Sequence, residues 1–317
     1  MPKNQLRRAS GERLAFAVDL GGTHLRVALV DDSGKILQHL KQETPHGDSA
    51  DEIIDALVTA AEKWGCDQLP VVAASIMVPG AVDSDKAVVV QAPNLPSLIN
   101  FQLKAELQRR LGWPVFLEND ANAAAVGEMW LGAARGCTDV VSVTLGTGVG
   151  GGVILKGRLW RGSHGSAGEI GHTTVDPFSG LKCKCGNTGC LELFASATAI
   201  VRMARELGMK ESSAEEVYDA GLKGDKQALT VFTRFGMYLG IGLANLINLI
   251  DPQVIVITGG AVNGWDLFAT EMYRQVEERA FRATAQQVKI ARSECGDNAG
   301  LLGAARIAFQ DLEDLHD

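Results

Sequence analysis

The chain has 317 residues, enough for roughly two domains, and its hydrophobic fraction of 46% and charged fraction of 21% exclude a disordered chain. Its formal net charge of −8 lacks the basic excess of a broad nucleic-acid-binding surface. The sequence contains no uninterrupted apolar run of about 18 residues, so no membrane span is predicted. The polar, basic residues 1–13 do not precede the apolar run of a signal peptide, so we predict a disordered leader and a cytoplasmic protein.

The first half of the chain shows alternating strand and helix patterns. Apolar runs predict strands at residues 15–18 and 25–30, joined by the turn Asp19-Leu20-Gly21-Gly22-Thr23. The later elements predicted by periodicity are a helix at 50–64, a strand at 71–78, a helix at 103–111, a strand at 115–117 and a helix at 121–130.

The second half begins with an echo of the first. Residues 140–145 form an apolar run that ends in Gly146-Thr147-Gly148 and continues into a second run at 152–155. A duplicated domain explains this match, and a chance recurrence of glycine-rich hairpins is the alternative. The elements that follow are a loop at 173–190, helices between 195 and 248, a strand at 254–257, and helices near 264–280 and 299–315. This alternation predicts an α/β fold.

Three glycine turns follow apolar strands, at residues 19–23, 144–152 and 257–260. Glycine lets backbone N–H groups approach a phosphate without a Cβ in the way, so the three turns together favour a nucleotide polyphosphate. None of them matches the G-x-x-x-x-G-K-[ST] loop or opens a helix as a dinucleotide fingerprint does. Nicotinamide cofactors and P-loop chemistry are therefore disfavoured.

Asp120 stands between a predicted strand and a predicted helix. It is a candidate general base for a substrate hydroxyl, because ligands bind at the carboxyl ends of strands in open α/β sheets. The alternative is a helix N-cap, a role that either Asn119 or Asp120 suits.

Four potential metal ligands crowd into 19 residues: His172, Cys183, Cys185 and Cys190. Three thiolates and one imidazole make a closed structural zinc site, and Gly186 and Gly189 permit the tight turn between the last two cysteines. Unrelated cysteines are the alternative. Cys66, Cys137 and Cys295 are scattered and are interpreted as core residues.

The ordered motifs resemble the ROK family of repressors and sugar kinases. They are the Asp-Leu-Gly-Gly-Thr turn, Glu118-Asn119-Asp120-Ala121-Asn122, the glycine-rich run 145–152 leading to 167–172, and Cys-x-Cys-Gly-x-x-Gly-Cys-Leu-Glu from Cys183. The resemblance runs from about residue 14 to the end and is greatest to the bacterial ATP-dependent glucokinases. It implies an actin-like, hexokinase-like (ribonuclease H-like) duplicated fold with a ligand cleft between two α/β domains. The smaller domain would comprise residues 14–121 and about 299–317, and the larger, with the zinc loop, residues 122–298.

The resemblance assigns the glycine turns to ATP and Mg²⁺. Asp19, Gly21, Gly22 and Thr23 would face the phosphates, with Asp19 holding Mg²⁺ through water. Gly146, Thr147 and Gly148 would cradle the phosphates from the other domain. Gly259 and Gly260 would border the adenosine.

It also assigns a sugar site. Asp120 would be the catalytic base, and the sugar contacts would be Gly80, Asn94, Asn119, Asp120, Glu169, His172 and Glu192. His172 would bind zinc through one ring nitrogen and face the sugar with the other. Many relatives carry an aromatic residue shortly after Pro-Asn-Leu, whereas Pro93-Asn94-Leu95 here continues without one, which predicts altered sugar selectivity.

The leading expectation is a kinase that makes glucose 6-phosphate from D-glucose. The alternatives are a kinase for mannose, allose, fructose or an N-acetylhexosamine, a donor such as polyphosphate, and a sugar-responsive repressor. Only 13 residues precede Leu14, fewer than a DNA-binding domain needs, which disfavours the repressor. Relatives are often dimers or tetramers, so we expect a homodimer or homotetramer that binds neither nucleic acid nor membrane.

Overall fold

A computed structural model describes residues 13–47, 49–83, 88–92 and 94–315. Apart from Arg13, the leader predicted for residues 1–13 lies outside the described residues, as does Pro93 of the Pro-Asn-Leu run. The strands, in chain order, are β1 (Leu14–Leu20), β2 (His24–Asp31), β3 (Ile36–Glu43), β4 (Val71–Val78), β5 (Ala81–Asp83), β6 (Val88–Gln91), β7 (Val115–Asn119), β8 (Val140–Leu145), β9 (Val149–Leu155), β10 (Arg158–Leu159), β11 (Val254–Thr258) and β12 (Lys289–Arg292).

The helices alternate with these strands, as an α/β fold requires. They are α1 (Asp51–Trp64), α2 (Leu103–Leu111), α3 (Asp120–Leu131), α4 (Ala197–Glu206), α5 (Ala214–Leu222), α6 (Lys226–Ile250), α7 (Trp265–Arg279), α8 (Arg282–Ala285) and α9 (Ala299–Asp314). Short 3₁₀ turns at Ile170–His172 and Leu191–Leu193 carry candidate site residues.

The chain divides into two compact units. Unit 1 holds the described residues up to Arg135, the segment Arg161–Ala167 and the residues from Asp297 onward, whereas unit 2 holds Gly136–Trp160 and Gly168–Gly296. The sequence placed the domain boundary at residue 121, but α3 stays with unit 1 because it packs along α9.

The two units contain sheets with the same topology. Unit 1 has the strand order β3-β2-β1-β4-β7, and unit 2 has β10-β9-β8-β11-β12. In each sheet the first three strands in the order pair antiparallel, and the remaining two continue parallel. The repeat predicted from the two glycine hairpins, β1–β2 and β8–β9, is confirmed.

Unit 1 buries both faces of its central strand β1. Phe16 and Val18 join α1 and α2 in one apolar cluster. The alternate residues Ala15 and Ala17 are also fully buried, and strand geometry points them to the opposite face, where α9 packs against β1. Helices α3 and α9 approach so closely that a Cβ on Gly303 would lie 1.7 Å from the carbonyl oxygen of Ala123.

Unit 2 is centred on the long helix α6. By length and composition α6 could cross a membrane, but Phe235, Leu239 and Leu243 are fully buried in the core of the unit. A Cβ on Gly240 would come within 2.5 Å of the backbone oxygen of Met272, so α6 and α7 pack in direct backbone contact. Helix α6 is therefore a core helix of unit 2.

Several strands were not predicted from the sequence. β3 and β12 lie at sheet edges, and their side chains are largely half-buried or exposed. Such strands carry alternating polar residues instead of an apolar run, so hydrophobic patterning detects them poorly.

Candidate active site

The first glycine turn joins β1 to β2 and carries a charged pair. Asp19 and Arg26 stand directly opposite each other in the antiparallel register, so their side chains share one face of the sheet. The Arg26 guanidinium donates to the Asp19 carboxylate and, at 2.6 Å, to the backbone oxygen of Asp297. This pairing holds the Asp19 side chain at the end of the strand.

Thr44 fixes the shape of the same turn. Its hydroxyl donates to the Gly21 carbonyl at 2.6 Å, and its backbone N–H donates to the Thr23 carbonyl at 3.0 Å. Asn94 packs on the turn so closely that a Cβ on Gly22 would lie 2.7 Å from the Asn94 Cβ. Unit 1 therefore brings a predicted phosphate contact, Gly22, against a predicted sugar contact, Asn94.

The junction of β7 and α3 shows which of Asn119 and Asp120 caps the helix and which is left as the candidate general base. Asn119 is the N-cap: its Oδ1 accepts the backbone N–H groups of Ala121 and Asn122 at 2.9 and 3.1 Å. Its Nδ2 donates to the Gly80 carbonyl at 2.8 Å, which joins two predicted sugar contacts. Asp120 is the first helical residue, is exposed, and accepts the Ala121 N–H at 2.9 Å.

A buried carboxylate lies beneath this junction. The Oε1 of Glu118 accepts from the Asn119 N–H and the Asn122 Nδ2, both at 2.9 Å, and its Oε2 accepts from the Nε of Arg161 at 2.6 Å. Arg161 also reaches Asp311 at 3.2 Å. Burial alone would lower the pKa of Arg161, but the two carboxylates outweigh it and hold that pKa above its usual value. Burial raises the pKa of Asp311, against the opposing charge of Arg161.

In unit 2 the second glycine turn is held from two sides. The backbone N–H of Ala197 donates to the Gly146 carbonyl at 2.8 Å, and the Thr198 hydroxyl donates to the Thr147 carbonyl at 2.7 Å. Gly259 has a φ of +91°, and a Cβ there would lie 2.5 Å from the backbone oxygen of Leu145. The two predicted nucleotide turns of this unit are therefore in contact.

Glu192 links the second turn to the candidate sugar residues of unit 2. Its Oε2 accepts the backbone N–H of Val149 at 3.1 Å, and a Cβ on Gly148 would come within 2.2 Å of that oxygen. Glu169 precedes the 3₁₀ turn Ile170–His172, and His172 is its last residue. The Glu169 Oε2 lies 3.8 Å from the His172 Nε2.

The other ring nitrogen of His172 faces the cysteines. Its Nδ1 lies 3.6 Å from the Cys183 Sγ, and the Cys185 and Cys190 Sγ atoms lie 3.7 Å apart. All four potential ligand atoms are within 4.8 Å of one another. A disulfide needs about 2.05 Å, whereas tetrahedral zinc with Zn–S bonds of about 2.3 Å separates its sulfurs by about 3.8 Å.

The pKa values of two cysteines in the cluster shift in opposite directions, since hydrogen bonds from Asn187 and Cys183 lower the pKa of Cys185. Burial, together with the neighbouring Cys185 and Cys183, raises the pKa of Cys190 to about 12, so the metal-free cluster disfavours ionisation of this thiol. A divalent metal would reverse this by stabilising the thiolates. Gly189 makes the turn possible, because at φ +73° a Cβ would lie 1.8 Å from the Asp176 carbonyl oxygen. The residues fit a closed Cys₃His zinc site. Of the three cysteines interpreted as core residues, Cys66 is buried, whereas Cys137 and Cys295 are only half-buried. Burial raises the pKa of Cys66 to about 12.

Each unit gathers its own share of the predicted residues. Unit 1 contains Gly80, Asn94, Asn119 and Asp120 with the first turn; unit 2 contains Glu169, His172 and Glu192 with the other turns and the cysteines. Sequence reasoning missed Arg26, Thr44 and Arg161. Each makes its contact with a residue 7 to 43 positions away, and no local pattern marks such pairs.

Comparison with known proteins gives consistent matches along the whole described fold. The model of the ROK family matches residues 15–311. A glucokinase from Thermotoga maritima is 36% identical over 308 residues, covering 92% of this chain and 96% of that protein. The crystal structure of a ROK family glucokinase from Streptomyces griseus in complex with glucose and AMPPNP is 36% identical, with a TM-score of 0.76, covering 94% of this chain and 99% of that one. The xylose repressor of Bacillus subtilis is 32% identical, covering 95% of this chain and 78% of that protein.

Proposed function

The chain belongs to the ROK family, and we propose that it is an ATP-dependent hexokinase that converts D-glucose to glucose 6-phosphate. The observation that carries this is the separation of roles at the β7–α3 junction. Asn119 caps the helix, and the exposed carboxylate of Asp120, the first residue of α3, is the group that we propose to accept the proton of a substrate hydroxyl. The glucokinase names of two relatives that align over more than nine-tenths of the chain support the same reaction.

The proposed reaction is a direct phosphoryl transfer. Asp120 accepts the proton of the sugar's primary hydroxyl as that oxygen bonds to the γ-phosphorus and the bond to the ADP leaving group breaks. Mg²⁺, which Asp19 would hold through water, neutralises phosphate charge when it is bound. The backbone N–H groups of Gly22, Thr23, Thr147 and Gly148 in the two hairpin turns would bind the phosphates, with Gly259 and Gly260 beside the adenosine. The N–H groups of Gly21 and Gly146 close these turns instead, by donating to the carbonyls of His24 and Gly148 at 2.9 and 3.0 Å.

The proposed sugar contacts are short polar groups. Asn119, Asn94 and the Gly80 backbone are the proposed contacts from unit 1. Glu169, His172 and Glu192 are those from unit 2. Each is a donor or acceptor for a hydroxyl, which is how polar groups in small-molecule sites give specificity.

A structural zinc ion would be held by the His172 Nδ1 and by Cys183, Cys185 and Cys190. That leaves the His172 Nε2 to face the sugar, so the metal would fix the orientation of a substrate contact. We further propose a cytoplasmic enzyme, where thiols stay reduced and ATP is available, that assembles as a homodimer or homotetramer.

The function is tested by measuring kcat/KM for ATP-dependent phosphorylation of glucose, mannose, allose, fructose and N-acetylglucosamine. We expect glucose to give the highest value. D-xylose, which is glucose without the primary hydroxymethyl group, should compete with glucose without being phosphorylated. A protein that binds sugars but transfers phosphate to none of them would contradict the proposal and favour a sugar sensor like the repressors. Replacing ATP with polyphosphate tests the donor.

A further inference from the structure

One ion pair in unit 1, between a buried carboxylate and a half-buried arginine, lies directly beside the residues to which the chemistry is assigned. The Glu118 side chain is 5% exposed, and its contact with the Arg161 Nε at 2.6 Å joins it to a cation. A carboxylate this deeply buried is costly unless it is paired and hydrogen-bonded. The charge of Glu118 is therefore tolerated in the core of unit 1 because Arg161 is there.

The same carboxylate holds the start of α3 in place. Its second oxygen accepts the Asn119 backbone N–H and the Asn122 side-chain amide. Asn119 in turn caps the helix and donates to the Gly80 carbonyl. A displacement of Glu118 would pass first to Asn119 and then to Asp120, the next residue in the chain.

We propose that Arg161 is a positioning residue for phosphoryl transfer: it neutralises and orients Glu118, and thereby fixes the junction that presents Asn119 and Asp120 to the sugar. The inference rests on the proposed function. It assigns a place in the reaction to the ion pair of the buried Glu118, which the phosphate and sugar motifs leave without a role.

The second partner of Arg161 separates this role from a general contribution to folding. Asp311 on α9 is 3.2 Å from Arg161, and its side chain is 27% exposed, against 5% for that of Glu118. Losing the Asp311 charge leaves Arg161 paired with Glu118, whereas losing Arg161 leaves Glu118 buried with its charge uncompensated. The proposal therefore places the catalytic consequence on the Glu118 contact.

The first experiment compares Arg161→Met with Arg110→Met, in which the same substitution removes an exposed ion pair with Asp55 in the same unit. For Arg161→Met we expect kcat/KM for glucose to fall on the order of 100-fold, with a raised KM for glucose, because small misplacements of reacting groups have effects of this size. The KM for ATP should change less than about twofold, since the glycine turns are untouched. Arg110→Met should match the wild type.

The second experiment is a rescue. In Arg161→Met, adding Glu118→Gln removes the buried charge while keeping an acceptor oxygen for Asn119, so we expect at least about tenfold recovery of kcat/KM. Arg161→Lys, which keeps the charge but loses the planar geometry, should fall between wild type and Arg161→Met. Asp311→Asn should stay within about threefold of wild type. If Arg161→Met does not fold, the double variant and Arg161→Lys still provide the measurement.

Three results would overturn the inference. They are an unchanged glucose KM and kcat per folded Arg161→Met molecule, a double variant no better than Arg161→Met, and an Asp311→Asn variant as damaged as Arg161→Met. An inactive wild-type enzyme would instead reject the proposed function, so the two failures are distinguishable.

Discussion

Units 1 and 2 share a sheet topology but differ in the residues at the ends of their strands. In the first hairpin a carboxylate, Asp19, precedes Leu-Gly, and in the second the matching residue is the neutral Thr144. The strands β7 and β12 hold the same position in their sheets, yet β7 leads into Asp120 whereas β12 ends in Arg292. Under the proposed function, the same scaffold would supply the carboxylates for Mg²⁺ and for proton transfer from unit 1, whereas both units would supply glycine turns to the phosphates.

The largest expected effect comes from removing the carboxylate of Asp120 in unit 1. Asp120→Asn should lower kcat by about 1000-fold, because the amide cannot accept the substrate proton. The amide oxygen can still accept the Ala121 N–H that Asp120 now accepts, so glucose binding measured by calorimetry should persist. Normal turnover of Asp120→Asn would contradict the assignment of the catalytic base to unit 1. Glu169→Gln, which makes the matching change from carboxylate to amide in unit 2, is the comparison.

The next largest effect concerns the cysteine cluster of unit 2, which unit 1 lacks among its described residues. Cys185→Ser should reduce bound zinc from about one equivalent to a small fraction and lower kcat/KM for glucose about 10- to 100-fold, through the loss of His172 orientation. Metal content by atomic absorption and thermal unfolding check this. Cys137→Ser, in the same unit but outside the cluster, should retain its metal, and full zinc in Cys185→Ser would refute the site.

A smaller effect is expected where two turns of unit 2 touch. Gly259→Ala places a Cβ at 2.5 Å from the Leu145 oxygen in a backbone of φ +91°. We expect about 2 kcal/mol of lost stability and roughly a tenfold higher KM for ATP. Gly224→Ala is the matched control, since its φ is +83° but no atom lies within 4 Å of the new Cβ. Only the backbone strain, about 1 kcal/mol, should appear there. Equal ATP affinity in the two variants would argue against a nucleotide turn at Gly259.

The smallest effect tests the first turn of unit 1. Thr44→Val removes the hydroxyl that donates to the Gly21 carbonyl and should cost about 1 kcal/mol of stability. The KM for ATP should rise about threefold while the KM for glucose stays constant. Thr230→Val, whose hydroxyl bonds only within α6 to the Lys226 carbonyl, should leave both constants unchanged.

Local sequence signals predicted the features that depend on neighbours in the chain. The strand at 71–78 and the helix at 103–111 match β4 and α2 residue for residue, because their apolar spacing and flanking breakers are clear. The glycine turns and the cysteine cluster were found in the same way. The sequence could not decide whether Asn119 or Asp120 caps the helix, since both residue types suit the position; the hydrogen bonds in the structure decide it.

Contacts between distant residues could not be predicted. Arg26, Thr44 and Arg161 are ordinary polar residues in the sequence, and their roles arise only when the fold brings Asp19, Gly21 and Glu118 to them. Strand β3 could not be predicted because its solvent-exposed side chains are polar, so its sequence shows no apolar run. The catalytic identity of Asp120 and the ligand roles of both units stay predictions until the variants above are measured.

The place of α9 in unit 1 has a consequence for synthesis. This helix covers one face of the first sheet, and Gly303 within it lies against the backbone of α3, yet it follows every element of unit 2 in the chain. While the ribosome is still translating unit 2, the sheet formed by the first 135 residues waits with that face uncovered, a state in which nascent chains aggregate. Every element of unit 2 leaves the ribosome before α9 does, so unit 2 can complete its core first. Truncation of the chain before α9 would therefore damage unit 1, most of which is translated before unit 2.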